Sequence, residues 1–302
     1  MAIEFKGEQF MINSVRIMLI FLICFPSLSY SESEFLSSKT DFVFCSAGDF
    51  HLSPQLTKPE DNPGHFSPEE NKTKFIQTLE KIRPNFVMLL GDLTMFGEFE
   101  YFRKWTDRFP SKRYWVIGNH DIKKGWPENW EKYVEIPEHA EKIKFNKTCY
   151  FFIEKIGKLE WAFIVMDNNR FMGKDFKGQL TWLKKTLDTL DERKIPSERR
   201  FFFAHNPFLL HPIVKIGGQE PLKKIAKILY GRVRECHFGH QHINYYMNHY
   251  AGIPPYYVVG LTTIYKSGYV NQMGYEFLEK RALLTTVIKE DGNVTHEWHS
   301  LE

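Results

Sequence analysis

From Asp41 to the C-terminus, short apolar runs alternate with longer amphipathic ones. That is the pattern of strands feeding loops and helices in an α/β domain. The runs at 42–47, 86–90, 114–117, 163–166, 201–204, 235–238 and 256–259 read as short, buried strands. Between the first two, Ser67, Pro68 and Glu70 read as an N-cap, a first-turn proline and a capping-box acid. The pattern therefore predicts a helix from there to Ile82, stopping before Pro84, with Phe75, Ile76, Leu79 and Ile82 on its apolar face. Over 178–190, Leu180, Leu183, Leu187 and Leu190 recur at helical spacing with lysines opposite, which predicts a packing helix. Hairpins are predicted to turn at Gly157-Lys158 and at Asp291-Gly292, the second joining 283–289 to 294–299. No repeat or low-complexity linker interrupts the pattern, so 40–302 reads as a single domain. Residues 122–147, rich in Lys, Trp and Glu, read as an inserted loop or small cap.

A different pattern precedes the domain. Residues 15–25 are apolar apart from Arg16, and Pro26 and small residues follow, with Ser29 and Ser31 at the −3 and −1 positions of a cleavage site. Residues 1–31 thus read as a secretory signal. Glu4 and Glu8 sit awkwardly in a positively charged leader, so Met11 is the better start. The run is shorter than the roughly 20 residues that cross a bilayer. The mature chain is therefore expected to be exported, periplasmic or secreted, without a stable membrane span.

Composition narrows the picture. With 43% hydrophobic and 16% aromatic residues, the chain can build a sizeable core, which excludes disorder. Forty Lys and Arg against 37 Asp and Glu leave a net charge of +3, and the leader's Lys6, Arg16, Glu4 and Glu8 cancel. Bulk nucleic-acid binding needs a clustered basic excess and is not expected. Loss of Cys24 with the leader leaves Cys45, Cys149 and Cys236, too few and too far apart for a disulfide framework or a zinc knuckle. Cys45 and Cys236 lie in apolar runs and read as buried; a pairing of two of the three stays open.

The candidate chemistry falls at strand ends. Asp49 and His51 follow the first strand, Asp92 the second, Asn119, His120 and Asp121 the third, His205 the 201–204 strand, and His240 and His242 the 235–238 strand. In open α/β sheets the carboxyl ends of strands line one crevice, so residues far apart in sequence can converge there. Carboxylate, imidazole and amide donors without thiolate suit Mn, Fe, Zn, Co or Ni, and exclude a structural zinc finger. Asp49, His51, Asp92, Asn119, His205, His240 and His242 are more donors than one ion uses, so two divalent or mixed-valence ions fit better. Asp92, alone at its strand end, is the natural bridge. Glycines at 48, 91, 118 and 239 precede the donors and would let the backbone turn beneath the ions. Each piece has a bland alternative, since Asp-x-His recurs by chance and Gly-Asp is usually a turn. The set in this order does not.

That order, Asp-x-His, Gly-Asp, Gly-Asn-His-Asp, His and Gly-His-x-His over residues 48–242, resembles the calcineurin-like metallophosphoesterase superfamily. The resemblance implies a four-layer αββα sandwich of two mixed sheets flanked by helices, with a dinuclear site at the strand C-terminal ends. It implies that one ion takes Asp49, His51, Asp92 and His242, and the other Asp92, Asn119, His205 and His240. Departures narrow it further. The Asp-Arg-Gly of protein Ser/Thr phosphatases is missing after Asp92. Met95 stands where purple acid phosphatases place an iron-binding Tyr. Gly-Asp-Leu-Thr with Gly-Asn-His-Asp is most similar to the group that includes the class III cyclic-nucleotide phosphodiesterases.

The implied activity is hydrolysis of a phosphomonoester or phosphodiester. A hydroxide bridging the ions would attack phosphorus in line, while the ions and Asn119 hold the non-bridging oxygens. His120 would protonate the departing alkoxide and Asp121 would orient its imidazole. The partner is a small phosphorylated substrate, with a nucleotide among the candidates. Lys123, Lys124, Trp126 and Trp130 could hold a phosphate and stack a base, although packing and solvated charge are the commoner uses of such residues. Tyr245, Tyr246 and His249 are candidates for the rim. Two other classes stay open: a binding protein that has lost turnover, and a metal-dependent hydrolase of non-phosphate esters.

Overall fold

The computed structural model describes residues 41–56, 66–123, 126–142, 147–169, 174–208, 219–248, 252–262, 277–278 and 280–302. The expected leader, Lys124 and His249 lie outside them. In chain order the first elements are β1 (Phe42–Ala47), α1 (Glu69–Ile82), β2 (Phe86–Leu90), α2 (Phe99–Thr106), β3 (Lys112–Val116), α3 (Glu128–Tyr133), β4 (Glu141–Lys142), β5 (Tyr150–Ile156) and β6 (Leu159–Val165). There follow α4 (Lys174–Glu192), β7 (Arg200–Phe203), α5 (Gln219–Leu229), β8 (Glu235–Phe238), β9 (Asn244–Met247), β10 (Tyr256–Val258), β11 (Phe277–Leu278), β12 (Ala282–Ile288) and β13 (Val294–Ser300). Each apolar run has become a strand, and both hairpins turn where the glycines sit.

Helix α1 begins differently from its capping-box reading. Pro68 precedes its first residue and no side chain caps it. The Ser67 hydroxyl instead donates to the His51 carbonyl at 3.2 Å and accepts the Ser53 N–H. The loop after β1 has claimed it.

Two mixed sheets form. Strands β1, β2 and β3 run parallel in a five-stranded sheet ordered β13-β12-β1-β2-β3, with β12 antiparallel to β1. The other sheet has eight strands ordered β11-β9-β10-β8-β7-β6-β5-β4, and β6, β7, β8 and β10 are parallel within it. Alternation along each strand divides the apolar residues between two faces. Phe44, Phe86, Tyr114, Phe152, Phe163, Phe201 and Phe203 meet in one cluster between the sheets, where Phe163 stacks on Phe152 with centroids 5.0 Å apart.

Outside the eight-stranded sheet, Leu183, Leu187 and Leu190 of α4 and Ile225 and Leu229 of α5 pack on Phe202, Cys236 and Phe238. Outside the other, Phe75 of α1 and Phe102 of α2 meet Phe50, and Phe102 meets Trp115. The layers are helix, sheet, sheet, helix. Within 122–147, Trp130 is fully buried against Phe99 and Trp126, so it packs and offers no free face to a base. Cys45, Cys149 and Cys236 are buried, and no two of them are joined to each other. Among the described residues no helix is long and apolar enough to cross a membrane.

One polar thread crosses the aromatic interior. Ser46 Oγ lies 2.9 Å from His237 Nδ1, His237 Nε2 lies 3.2 Å from Glu235 Oε1, and His296 Nε2 lies 3.3 Å from that same oxygen. A carboxylate only accepts, so His237 Nε2 carries the proton and Nδ1 accepts the Ser46 hydroxyl. Burial pushes the Glu235 carboxyl up. The charge of His296 and hydrogen bonds from His237 and His296 outweigh this and bring it down to about 2, from an ordinary 4.5.

A depressed carboxyl stabilises the fold above its unfolded pKa, and that contribution is lost as pH falls toward the folded value. Urea midpoints of the native protein should therefore fall between pH 4.5 and about 2. They should fall less steeply in Glu235→Gln, which is expected to be less stable at pH 6 and to converge on the native protein in acid. Parallel curves would show that Glu235 does not carry this limb.

Candidate metal centre

The ends of five strands meet at one edge of the sandwich. Asp49, His51, Asp92 and His242 form one group whose ligand atoms lie within 4.8 Å of one another, and Asp92, His205 and His240 form a second. Asp92 belongs to both. Asn119 joins the second group, its Oδ1 lying 3.1 Å from His205 Nε2 and 2.9 Å from His240 Nδ1. All seven residues singled out as donors are thus brought together.

The backbone is unusual here. Asp49, His51, Asp92, His240 and His242 have φ between 46° and 74°, the left-handed region that L-residues other than Asn, Asp and His seldom enter. Neighbouring loops hold them there: the Asp49 N–H donates to Gly91 O at 3.0 Å, His51 N–H to Asp92 O at 2.8 Å, and Thr262 N–H to Asp49 O at 3.1 Å. The turning falls on the donors themselves. Of the four glycines that precede them, Gly91 alone has a positive φ. Gly118 is required for closeness instead, because a Cβ there would lie 2.0 Å from Asp92 N and 2.3 Å from Asp92 Oδ1.

The donor set draws positive charge. His51 Nε2 and His242 Nε2 face each other at 3.2 Å. Asp49 Oδ1 accepts the His240 N–H, while Asp49 Oδ2 is buried with no partner in hydrogen-bonding geometry. Burial raises the Asp49 carboxyl. Burial also pushes Asp92 up, but His205, His51 and His120 around it prevail and hold it below the usual carboxylate range. For His205, burial works downward and the Asp92 charge more than offsets it. Burial, and then the His205 charge, push His240 down to about 3. His205 Nδ1–H donates to the Leu90 carbonyl at 2.8 Å, which turns Nε2 toward Asp92 Oδ1 at 3.3 Å. Crowded imidazole, carboxylate and amide donors without thiolate fit a pair of transition-metal ions sharing Asp92.

Asp49, His51, Asp92 and His205 are buried, whereas Asn119, His120, His240 and His242 are half-buried and form the open side. The His120 N–H donates to Asp92 Oδ1 at 2.7 Å. Its Nδ1 lies 3.3 Å from the Met95 carbonyl, and its ring stands edge-on to His51 with centroids 4.6 Å apart. Asp121 does not orient it. The Asp121 Oδ1 accepts the N–H groups of Leu93 and Thr94 and the Thr94 hydroxyl, and Oδ2 accepts the Gly118 N–H. This carboxylate clasps the loops after β2 and β3, and the Met95 carbonyl and the His51 ring set the His120 imidazole instead. Tyr245 is buried, its hydroxyl donating to Gln241 Oε1, and Tyr246 stacks on Tyr257 at 4.5 Å. Both pack.

An amide cluster escaped sequence reasoning. Asn169 Nδ2 donates to the Ile117 carbonyl at 2.6 Å, Asn206 Nδ2 to Asn169 Oδ1 at 2.8 Å, and the Asn206 N–H to Asn168 Oδ1 at 2.9 Å. It ties the residue before Gly118 to the residue after His205, and so links the ends of β3 and β7. Its signal was a polar run, Asp167-Asn168-Asn169, after the strand that ends in Met166.

Comparison with known proteins places this geometry in context. The structure resembles GAP50, the anchor in the inner membrane complex of Plasmodium, with 14% identity, a TM-score of 0.60, and coverage of 87% of this chain and 86% of that one. It resembles a dimetal phosphatase from Danio rerio with 11% identity, a TM-score of 0.57, and coverage of 86% and 96%. It also resembles the calcineurin-like phosphoesterase YfkN from Bacillus subtilis, with 14% identity, a TM-score of 0.50, and coverage of 87% and 91%. At such identities the likeness is one of fold. A search of curated proteins returns no match. The model of the calcineurin-like phosphoesterase family matches residues 42–244, from the first strand through the last pair of histidine donors. The chain belongs to the calcineurin-like phosphoesterase family.

Proposed function

We propose that this chain is a dinuclear-metal-dependent phosphoesterase that hydrolyses a small phosphomonoester or phosphodiester. The observation that carries the reading is the membership of Asp92 in two donor groups at once, which is what a bridging carboxylate requires. Asp49, His51 and His242 would complete one ion's shell, and Asn119, His205 and His240 the other's. When bound, the ions supply Lewis acidity and bring the pKa of a shared water toward neutrality. Asn119, whose Oδ1 lies beside His205 Nε2 and His240 Nδ1, would have its Nδ2 left for a non-bridging phosphate oxygen. His120 donates a proton to the departing alkoxide from Nε2, since Nδ1 is taken up by the Met95 carbonyl. The leader at 1–31 extends the reading to an exported enzyme. A non-catalytic role is the second reading, favoured by the fold likeness to an anchor protein. The presence of every donor together with His120 weighs against it.

Two outcomes are expected. Elemental analysis of the Mn²⁺-loaded protein should find two ions per chain, with His51→Ala holding one and Asp92→Asn neither stably; a native protein that takes one ion at most overturns the dinuclear reading. His120→Ala should keep both ions yet hydrolyse alkyl esters about 10²–10⁴-fold more slowly, with p-nitrophenyl phosphate and bis-p-nitrophenyl phosphate far less affected. An equal fall for both kinds of ester removes His120 as the acid. Turnover of p-nitrophenyl acetate alone would favour a non-phosphate esterase, and no turnover with any metal a binding protein.

A further inference from the structure

The two halves of the metal centre belong to different sheets. Asp49, His51, Asp92 and Asn119 come from the five-stranded sheet, and His205, His240 and His242 from the eight-stranded one. No ladder of backbone hydrogen bonds joins β1 to β8, so ordinary strand pairing does not set their alignment. The side chains that link them nevertheless keep one offset. Ser46 meets His237, Asp49 meets His240 and His51 meets His242, each pair separated by 191 residues. The two strands therefore run abreast across the gap in a fixed register, and the metal donors are the continuation of that register beyond the strand ends.

Little in the interior would fix it. His237 is surrounded by Phe44, Phe201, Phe203 and Tyr257, and apolar contact is non-directional. The 2.9 Å hydrogen bond from Ser46 is directional. His237 is itself held by Glu235, whose carboxylate also meets His296 on β13, back in the five-stranded sheet. His296 Nδ1 lies 3.1 Å from Thr286 Oγ1 on β12. The thread leaves one sheet at Ser46, crosses the other at His237 and Glu235, and returns at His296. The sheets are thus tied at two points, Ser46–His237 and Glu235–His296.

We propose that the buried bridge Ser46–His237–Glu235–His296 is a positioning device that holds the two half-sets of metal donors in register. The proposal rests on the dinuclear reading for its metal readout and stands apart from it in a metal-free one. Ser46→Ala takes the donor from the buried His237 Nδ1, and His237→Phe takes a partner from both Ser46 and Glu235, so each lowers stability, Ser46→Ala the less, while leaving the surrounding apolar contacts in place. Both variants should fold, and in metal-free crystal structures the Asp49–His240 and His51–His242 separations should change. Mn²⁺ affinity measured by calorimetry should fall roughly 10–100-fold, as it does when groups that orient ligands are lost. The double variant should fall no further than His237→Phe, which already removes both of that residue's links. His237→Gln, whose amide can both accept and donate, should recover much of the affinity. If the apolar variants keep the separations and bind two Mn²⁺ as tightly as the native protein, the bridge is merely structural and the proposal is overturned. If His237→Phe fails to fold, Ser46→Ala alone decides. A native protein that takes fewer than two Mn²⁺ refutes the dinuclear reading, and the metal-free separations then decide the register.

Discussion

Seven donor groups crowd into one edge of this sandwich, buried or half-buried and most of them on strained backbone. A carboxylate oxygen of Asp49 is buried without a hydrogen-bonding partner, and five donor residues sit at positive φ. Each such feature costs free energy, of the order of 1–3 kcal/mol for a strained backbone position. They persist because the surroundings over-determine them. The loops after β1 and β2 bond to each other through Asp49, His51 and Leu52, and a further loop closes from Leu261 on Gly48 and from Thr262 on Asp49.

Convergence from two sheets makes the problem harder. Within one sheet, ladder bonds space the strand ends; between the sheets, backbone bonds from Leu261 and Thr262 reach only the loop that follows β1, and deeper in, packing sets mainly the distance. Directional groups therefore do the aligning, two of them between the sheets and one within the five-stranded sheet. The Ser46–His237 bond lies in the interior. The amides of Asn168, Asn169 and Asn206 link the ends of β3 and β7 near the rim. Asp121 draws the loops after β2 and β3 together with four hydrogen bonds. Asp92 then sits where both groups can reach it, its N–H less than a side chain's breadth from Gly118.

The fold was legible because strands buried on both faces read as short apolar runs, and the donors because five run ends carried carboxylate, amide or imidazole groups in one order. Orientation was not legible. Asp121 stands next to His120 in sequence and reads as its partner, yet its carboxylate turns toward three backbone N–H groups that only the folded loops bring near. Ser67 has the spacing of a cap and is claimed by His51 and Ser53 instead. Ser46 and His237 lie inside runs otherwise apolar, so the strand pattern absorbs them. In each case the competing partner lies far off in sequence or on a loop whose path local preference does not determine.

The same commitments define how a phosphate would be met. No arginine directly follows Asp92; this chain has Leu93 and Thr94 there, whose N–H groups are already given to Asp121. The Gly118 N–H goes to Asp121 as well, and the His120 N–H to Asp92. On the proposed reading, a phosphate arriving at the half-exposed side meets the ions, the Asn119 amide and the His120 imidazole, with these backbone donors spent. Its negative charge is then balanced chiefly by the ions themselves, so substrate binding and metal binding become two sides of one equilibrium. Anything that loosens the register between β1 and β8 would weaken both together.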